Sequence, residues 1–181
     1  MSRAFVKEDD AGTPLPDRPI SPQRNLVTRR GLQLIEQEIA HHQRDLARAR
    51  ADADREAAGR ASRELRYWSA RRASAEVAEP EPDAASVVFG TAVTLLRDDD
   101  SELTLRIVGE DEADPEQGRI AWTTPVARAI LGSRPGEVRE LPTGSVEVVA
   151  IDPAPEPPDP QPEARLASSG RGPPSIEEQQ R

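Results

Sequence analysis

The fold of this chain is decided by residues 28–78, which read TRRGLQLIEQEIAHHQRDLARARADADREAAGRASRELRYWSARRASAEVA. This stretch contains no proline, although the whole chain has 18. It is rich in alanine, arginine and glutamate, which favour helix. Its apolar residues recur at steps of three and four, in the series Leu32, Ile35, Ile39, His42, Leu46, Ala49 and Ala53. This spacing places them along one side of a helix and predicts a coiled-coil seam.

A second series of the same spacing predicts a second helix. We expect Gly59 to end the first helix, because glycine tolerates the left-handed conformation that closes many helices. The turn is then predicted at residues 57–60, and antiparallel pairing would set Leu46 beside Trp68. The second helix carries its seam on Ala61, Leu65, Trp68, Arg72 and Ala75. Residues 26–78 are therefore predicted to form an antiparallel helical hairpin whose seam thins toward the turn.

The segments outside the hairpin differ from it in composition. Residues 1–25 and residues 153–181 are polar and dense in proline. Such chain cannot bury enough apolar surface to fold, so both are predicted to be disordered, the second as a proline-rich acidic tail. Residues 79–86, EPEPDAAS, are predicted to be a linker.

Residues 87–152 show the pattern of a small β-sheet domain. Short runs rich in β-branched residues are separated by turn-forming sequences, and the runs are VVFGTAVTLL, ELTLRIVG, RIAW, EVREL and SVEVVAI. One helix interrupts them, with Thr124 as its N-cap, Pro125 at its first position and Gly132 as its stop. The predicted fold class is α+β, a hairpin followed by a sheet domain with one short helix.

Composition and charge exclude several classes of protein. The formal net charge is −9 and the pI is near 4.9, which argues against an autonomous binder of duplex DNA. The chain has no cysteine, so disulfides, zinc–cysteine sites and thiol nucleophiles are excluded. No apolar run approaches the length of a membrane span. We expect a soluble, cytoplasmic protein with no membrane partner.

Several spaced motifs together resemble one known family. They are LVTRRGL at residues 26–32, FGTAVT at 89–94, RIVGEDEAD at 106–114, TPVARAILG at 124–132, and Pro142 two residues before Gly144. In this order they resemble the GreA/GreB transcription elongation factors, including the short-hairpin Rnk-type relatives. The resemblance covers residues 26–152 and implies an FKBP-like fold for the C-terminal domain.

The resemblance also implies a partner and a mode of action. Factors of this family dock their globular domain at the rim of the secondary channel of bacterial RNA polymerase, and their hairpin enters the channel. The polymerase then cleaves its own backtracked RNA, so the factor is not itself an enzyme. We expect a monomer that binds core polymerase and meets nucleic acid only through the elongation complex. The residues implied as polymerase contacts are Asp111, Glu112, Asp114, Thr124, Pro125 and Arg128.

At the hairpin tip the sequence departs from the family pattern. Aligning on Gly59 and Tyr67 places Arg60 and Arg63 where the family has the acidic pair that helps to hold a metal ion. The predicted tip therefore comprises Glu56, Gly59, Arg60, Arg63 and Glu64. Arginine cannot bind Mg²⁺, so transcript cleavage is expected to be stimulated weakly or not at all. Modulation of elongation or pausing is expected instead, with competition for the channel, as in the Rnk-type relatives, as the alternative.

A different alignment of the tip stays open, in which Asp52, Asp54 and Glu56 lie there instead. No cofactor of the chain's own is expected, and Mg²⁺ would at most be shared with the polymerase active centre. His41 and His42 are not expected to bind metal, because neighbouring side chains on a helix diverge and no third ligand is evident.

Two other functions remain as alternatives. A generic coiled-coil interaction protein with another partner would also contain such a hairpin. A peptidyl-prolyl isomerase would fit an FKBP-like domain, but its pocket needs aromatic side chains and this domain offers only Phe89 and Trp122. Fold alone does not carry activity.

Overall fold

The structure, a computed structural model, describes residues 16–141 and 144–156. In chain order its elements are β1 (Leu26–Val27), α1 (Arg29–Ala51), α2 (Arg55–Ala73), β2 (Glu76–Val77), β3 (Ala92–Arg97), β4 (Glu102–Val108), a 3₁₀ turn (Pro115–Gln117), β5 (Arg119–Ala121), α3 (Pro125–Ile130), β6 (Val138–Leu141) and β7 (Gly144–Asp152). We call α1, α2 and the turn between them the finger, and residues 87–152 the globular domain. None of the helices in the described ranges is long and apolar enough to cross a membrane.

The finger is the predicted antiparallel hairpin, but its turn lies at residues 52–54. Asp52 ends α1, Ala53 has a positive φ of 54°, and Asp54 caps α2 by accepting a hydrogen bond from the backbone N–H of Ala57 at 2.9 Å. The prediction of a turn at residues 57–60 is therefore wrong, and Gly59 lies inside α2. An aspartate N-cap stabilises a helix start by about 1 kcal/mol, while an internal glycine costs about as much and does not break the helix.

The base of the finger is closed by a short parallel pair of strands. Leu26 and Val27 in β1 pair with Glu76 and Val77 in β2, so the chain enters and leaves the finger side by side. A small apolar cluster lies beside this pair and contains the buried residues Val27, Ile35 and Trp68. The large apolar side chains of the seam are thus concentrated at the base, whereas the buried seam residues nearer the tip are alanines, Ala49 and Ala61.

The globular domain is a five-stranded sheet with the strand order β5-β4-β3-β7-β6. The strand β3 lies at the centre, antiparallel to both β4 and β7, and β5 is parallel to β4. Alternate side chains from the sheet pack on α3 and form the main core, which contains Val87, Val93, Leu95, Leu105, Ile107, Ala127, Ile130, Val146 and Val148. The α+β class predicted from the sequence is confirmed. The first strand of this sheet, β3, begins at Ala92, whereas the apolar run identified in the sequence begins at Val87.

The described parts of the two flanking segments lie against the folded body. Residues 16–25 form neither helix nor strand, yet Asp17 and Arg18 make ion pairs with Arg66 and Glu64 on α2, at 2.7 and 2.6 Å. At the other end, Glu156 accepts a hydrogen bond from Arg119 at 2.8 Å. The rest of the predicted lead and tail, residues 1–15 and 157–181, lies outside the described residues.

Candidate functional site

A buried arginine joins the finger to the globular domain. Arg71, near the end of α2, has a side chain only 2% exposed, and its Nε donates a hydrogen bond to Asp111. A second guanidinium nitrogen lies 3.5 Å from a carboxylate oxygen of Glu110. Both acids lie in the loop after β4. A buried charge of this kind is stable only with an opposite charge and hydrogen bonds, and the loop supplies both.

The phenol of Tyr67 completes this contact from the finger side. It donates a hydrogen bond of 2.6 Å to the second oxygen of Asp111, so this one carboxylate accepts from two side chains of α2. Burial, together with the hydrogen bond to Asp111, raises the pKa of Tyr67 to about 12. The guanidinium of Arg18 lies 3.7 Å from the centre of the tyrosine ring, which places the lead segment over the same contact.

A second acid, Glu112, fixes the start of α1. Its side chain accepts hydrogen bonds from the backbone N–H of Thr28 at 3.1 Å, the Thr28 hydroxyl at 2.6 Å and the backbone N–H of Gly109 at 2.8 Å. Thr28 is also the N-cap of α1, since its hydroxyl accepts from the N–H of Gly31 at 3.0 Å. Gly31 makes room for the acid, because a Cβ there would lie 2.6 Å from the Glu112 carboxyl group.

We call Thr28, Tyr67, Arg71, Glu110, Asp111 and Glu112 the junction. The resemblance implied Asp111 and Glu112 as polymerase contacts, yet both side chains are nearly buried in the structure. Glu112 is 4% exposed and the Asp111 side chain 9%, because each accepts hydrogen bonds from the finger. Their assignment as polymerase contacts stays a prediction, and any such role has to be reconciled with this burial.

The other predicted contact residues of the globular domain are more accessible. Asp114 caps the 3₁₀ turn, and its side chain remains 36% exposed. Thr124 is the predicted N-cap of α3, since its hydroxyl accepts from the N–H of Ala127 at 3.3 Å. Pro125 and Arg128 are both exposed on that helix. Thr124 also borders a concave surface of about 700 Å³ whose apolar part comprises Leu103, Leu105, Ile120, Val126, Leu141 and Val146.

The tip of the finger carries the acids of the alternative alignment. We define the tip as residues 52–56, which include Asp52, Asp54 and Glu56. Asp54 serves as the cap of α2, and Glu56 makes an ion pair with Arg60 one turn later. Of the tip residues predicted from the first alignment, only Glu56 lies there. The others lie along α2, and they are Gly59, Arg60, Arg63 and Glu64.

Sequence reasoning missed the finger side of the junction. Arg71 falls next to the seam position Arg72, and periodicity alone gives no reason to bury a guanidinium. The signal that was available is the run Glu110-Asp111-Glu112, since three consecutive acids in an apolar domain need cations or N–H donors nearby. From the sequence Tyr67 served as an alignment anchor at the hairpin, whereas in the structure its hydroxyl donates a hydrogen bond to Asp111.

Comparison with known proteins identifies the family. The family model "Transcription elongation factor, GreA/GreB, C-term" matches residues 81–153. The transcription elongation factor GreA of Methylobacterium nodulans is 35% identical over 150 residues, which cover 69% of this chain and 94% of that protein. This chain belongs to the GreA/GreB family of transcription elongation factors.

Other relatives are matched over shorter stretches. GreB of Neisseria meningitidis serogroup B is 41% identical over 101 residues, 50% of this chain, and this chain spans 62% of its length. GreA of Pseudomonas putida is 43% identical over 74 residues, 39% of this chain, and this chain spans 46% of it. The solved structure of the GreA factor homolog Gfh1 of Thermus thermophilus is 21% identical with a TM-score of 0.35, over 71% of this chain and 99% of that one.

Proposed function

We propose that this chain binds bacterial core RNA polymerase and regulates elongation from the secondary channel. The globular domain would rest at the channel rim and the finger would enter the channel. The observation that carries this proposal is the junction, because Arg71 and Glu112 anchor both helices of the finger to the globular domain by buried polar contacts. An inserted element has to be held at a set angle, and the junction supplies that support.

The docking surface that we propose lies around α3. Pro125 and Arg128 are exposed there, and the concave surface beside Thr124 offers apolar area rimmed by polar groups. Surfaces of this kind are typical of protein–protein contacts. For Asp111 and Glu112 we propose an indirect role, in which they set the angle of the finger and so determine whether docking and insertion can occur together.

At the tip we propose that the carboxylates are poorly prepared to hold a metal ion. Asp54 is engaged as a helix cap and Glu56 is paired with Arg60, so recruiting either would cost an existing interaction. The 23 residues of α1 span about 35 Å at ~1.5 Å per residue. Weak stimulation of cleavage is therefore our proposal on the geometry of the tip. Modulation of pausing, or competition with other channel-binding factors, is the proposed main effect.

Association with core polymerase tests the first part of this proposal. The full chain, immobilised through its N-terminus, is expected to capture core enzyme in a saturable, one-to-one manner. Arg128→Ala is expected to weaken capture at least about tenfold if α3 is a central contact, as for other interface arginines. Arg134→Ala, on an exposed position beyond α3, is the matched control and is expected to change little.

The outcome also separates the proposed function from the alternative of a generic coiled-coil interaction protein. Failure to bind any form of core polymerase would overturn the proposal and leave a coiled-coil protein with another partner. If both arginine variants bind as tightly as the parent chain, polymerase would stay the proposed partner, but the surface around α3 would be rejected as the docking surface.

Cleavage of the transcript in stalled elongation complexes tests the proposal for the tip. We expect less than one tenth of the rate given by a GreA protein at equal occupancy. The double variant Asp52→Asn with Asp54→Asn should leave that residual rate unchanged, and asparagine keeps the helix cap. Cleavage equal to GreA, and abolished in the double variant but not in Glu116→Gln, would show that the tip acids do bind the ion.

A further inference from the structure

Midway along α1, outside the junction and the tip, three metal-binding side chains converge. His41, His42 and Asp45 each offer a ligand atom, and these atoms all lie within 4.8 Å of one another. The Nε2 atom of His41 is 3.1 Å from a carboxylate oxygen of Asp45, its partner one turn later. The Nε2 atom of His42 is 3.5 Å from a carboxylate oxygen of Glu38, one turn earlier.

From the sequence, no metal was expected at His41 and His42 because no third ligand was evident. In the structure Asp45 supplies that ligand. Neighbouring imidazoles on an ideal helix diverge, but here both rings turn toward the same stretch of surface, with centroids 5.1 Å apart. Asp45 lies on that stretch because residues four apart in a helix are neighbours on its surface. Rotation of these three side chains, of which His41 is exposed and the other two are half-buried, is what a shared ion would require.

The surroundings favour a cation. His42 and Asp45 border a groove of about 380 Å³ between the two helices, which continues toward the tip. Four carboxylates line this groove, against two arginines, and the carboxylates are Asp45, Asp52, Asp54 and Glu64. The guanidinium groups belong to Arg48 and Arg60. The excess of negative charge lowers the cost of bringing in a divalent ion.

From this geometry we propose a transition-metal site on the finger, formed by His41, His42 and Asp45. Two imidazoles and one carboxylate suit Zn²⁺, Cu²⁺ or Ni²⁺, whereas Mg²⁺ prefers oxygen ligands. Three protein ligands leave a coordination position for water or for a group from a partner. A bound ion would link two turns of α1 in the part of the finger where alanines supply the buried seam, and would stiffen it.

Zinc binding to the full chain provides a clean test, because both histidines of the chain lie in the proposed site and there is no cysteine. Titration against a chromophoric zinc chelator is expected to show one Zn²⁺ per chain, undisturbed by excess Mg²⁺. Asp45→Asn should weaken binding at least about tenfold, since changing even a group that only hydrogen-bonds to a metal ligand typically costs that much. The double variant His41→Gln with His42→Gln should abolish it.

The control is Glu36→Gln, which removes the same charge from the same helix. Glu36 pairs with Arg72 at 2.9 Å and is not a ligand. Equal weakening by Asp45→Asn and Glu36→Gln would reduce the effect to charge and overturn the site. Zinc binding that survives the double histidine variant, or none by the parent chain, would also overturn it. Imidazole proton resonances that shift with one equivalent of Zn²⁺ would support it independently.

Discussion

The base and the tip of the finger are held together by opposite means. At the base, α1 and α2 carry large apolar side chains and are tied to the globular domain by buried polar contacts through Arg71 and Glu112. Toward the tip, the buried residues between the helices are the alanines Ala49 and Ala61, and the acids of the tip itself are exposed. The base is therefore a structural support, while the tip is left accessible to solvent.

The largest expected effect comes from removing the buried guanidinium. Arg71→Ala leaves Asp111 and Glu110 without their cation and opens a cavity between finger and domain. Breaking a buried ion pair in this way costs about 3–5 kcal/mol. Urea denaturation followed by circular dichroism should show this loss in the free energy of unfolding.

The neighbouring Arg72 is the matched control for that variant. Its side chain is 48% exposed and pairs with Glu36 on the surface, so Arg72→Ala should cost less than about 1 kcal/mol. Equal losses in the two variants would mean that the buried contacts of Arg71 add nothing beyond a surface ion pair, and the base of the finger would not be the structural support described above.

A pair of identical substitutions sharpens the same contrast. Gly31→Ala puts a Cβ 2.6 Å from the Glu112 carboxyl group, which three hydrogen bonds hold in place, and should cost about 1–3 kcal/mol. Gly59→Ala meets nothing within 4 Å and should stabilise α2 by about 0.5–1 kcal/mol. Thermal unfolding should show a lower midpoint temperature for Gly31→Ala and a higher one for Gly59→Ala than for the parent chain. Destabilisation by Gly59→Ala would place that residue in a turn after all.

The smallest of these effects is a titration. Tyr67 is the only tyrosine of the chain, so absorbance at the tyrosinate band reports it alone. We expect its pKa near 12 in the folded chain, and only a partial fall toward the ordinary value of about 10 in Asp111→Asn, because burial, the larger cause of the raised pKa, remains in that variant.

The raised pKa of Tyr67 also determines how its contribution to stability changes with pH. The folded state holds the phenolic proton more tightly, so the contribution is fully present below about pH 10 and is lost as the pH rises toward 12. A parent chain that titrates at the ordinary value would show that the phenol does not contact Asp111.

The elements of this fold were largely predictable, because their signals are local. The three-and-four spacing predicted both helices, and Thr124, Pro125 and Gly132 predicted α3 with its cap. The turn was misplaced because Asp54, three positions after the last residue of α1, caps α2, and Gly59 lies inside that helix instead of ending the first one. The resemblance to the family was also visible in the sequence, because the motifs that carry it are short and contiguous.

The candidate site was less accessible to prediction. The contact between Arg71 and Asp111 joins residues 40 positions apart, and neither residue shows by its own neighbours that it is buried. The contacts of Arg18 with α2 could not be foreseen either, since they depend on a lead segment without helix or strand. Long-range pairing of charges is set by the folded surface, and sequence periodicity does not report it.

The most direct test of whether the finger enters the channel places a probe at the end of α1, beside the tip. The chain lacks cysteine, so Ala51→Cys, exposed at the end of α1, gives one attachment point for a photo-crosslinker. In a stalled elongation complex we expect crosslinks to polymerase segments lining the secondary channel, and none there from Val138→Cys on the globular domain. Crosslinks from Ala51→Cys to the outer surface alone, or to no polymerase subunit, would contradict the claim that the finger enters the channel.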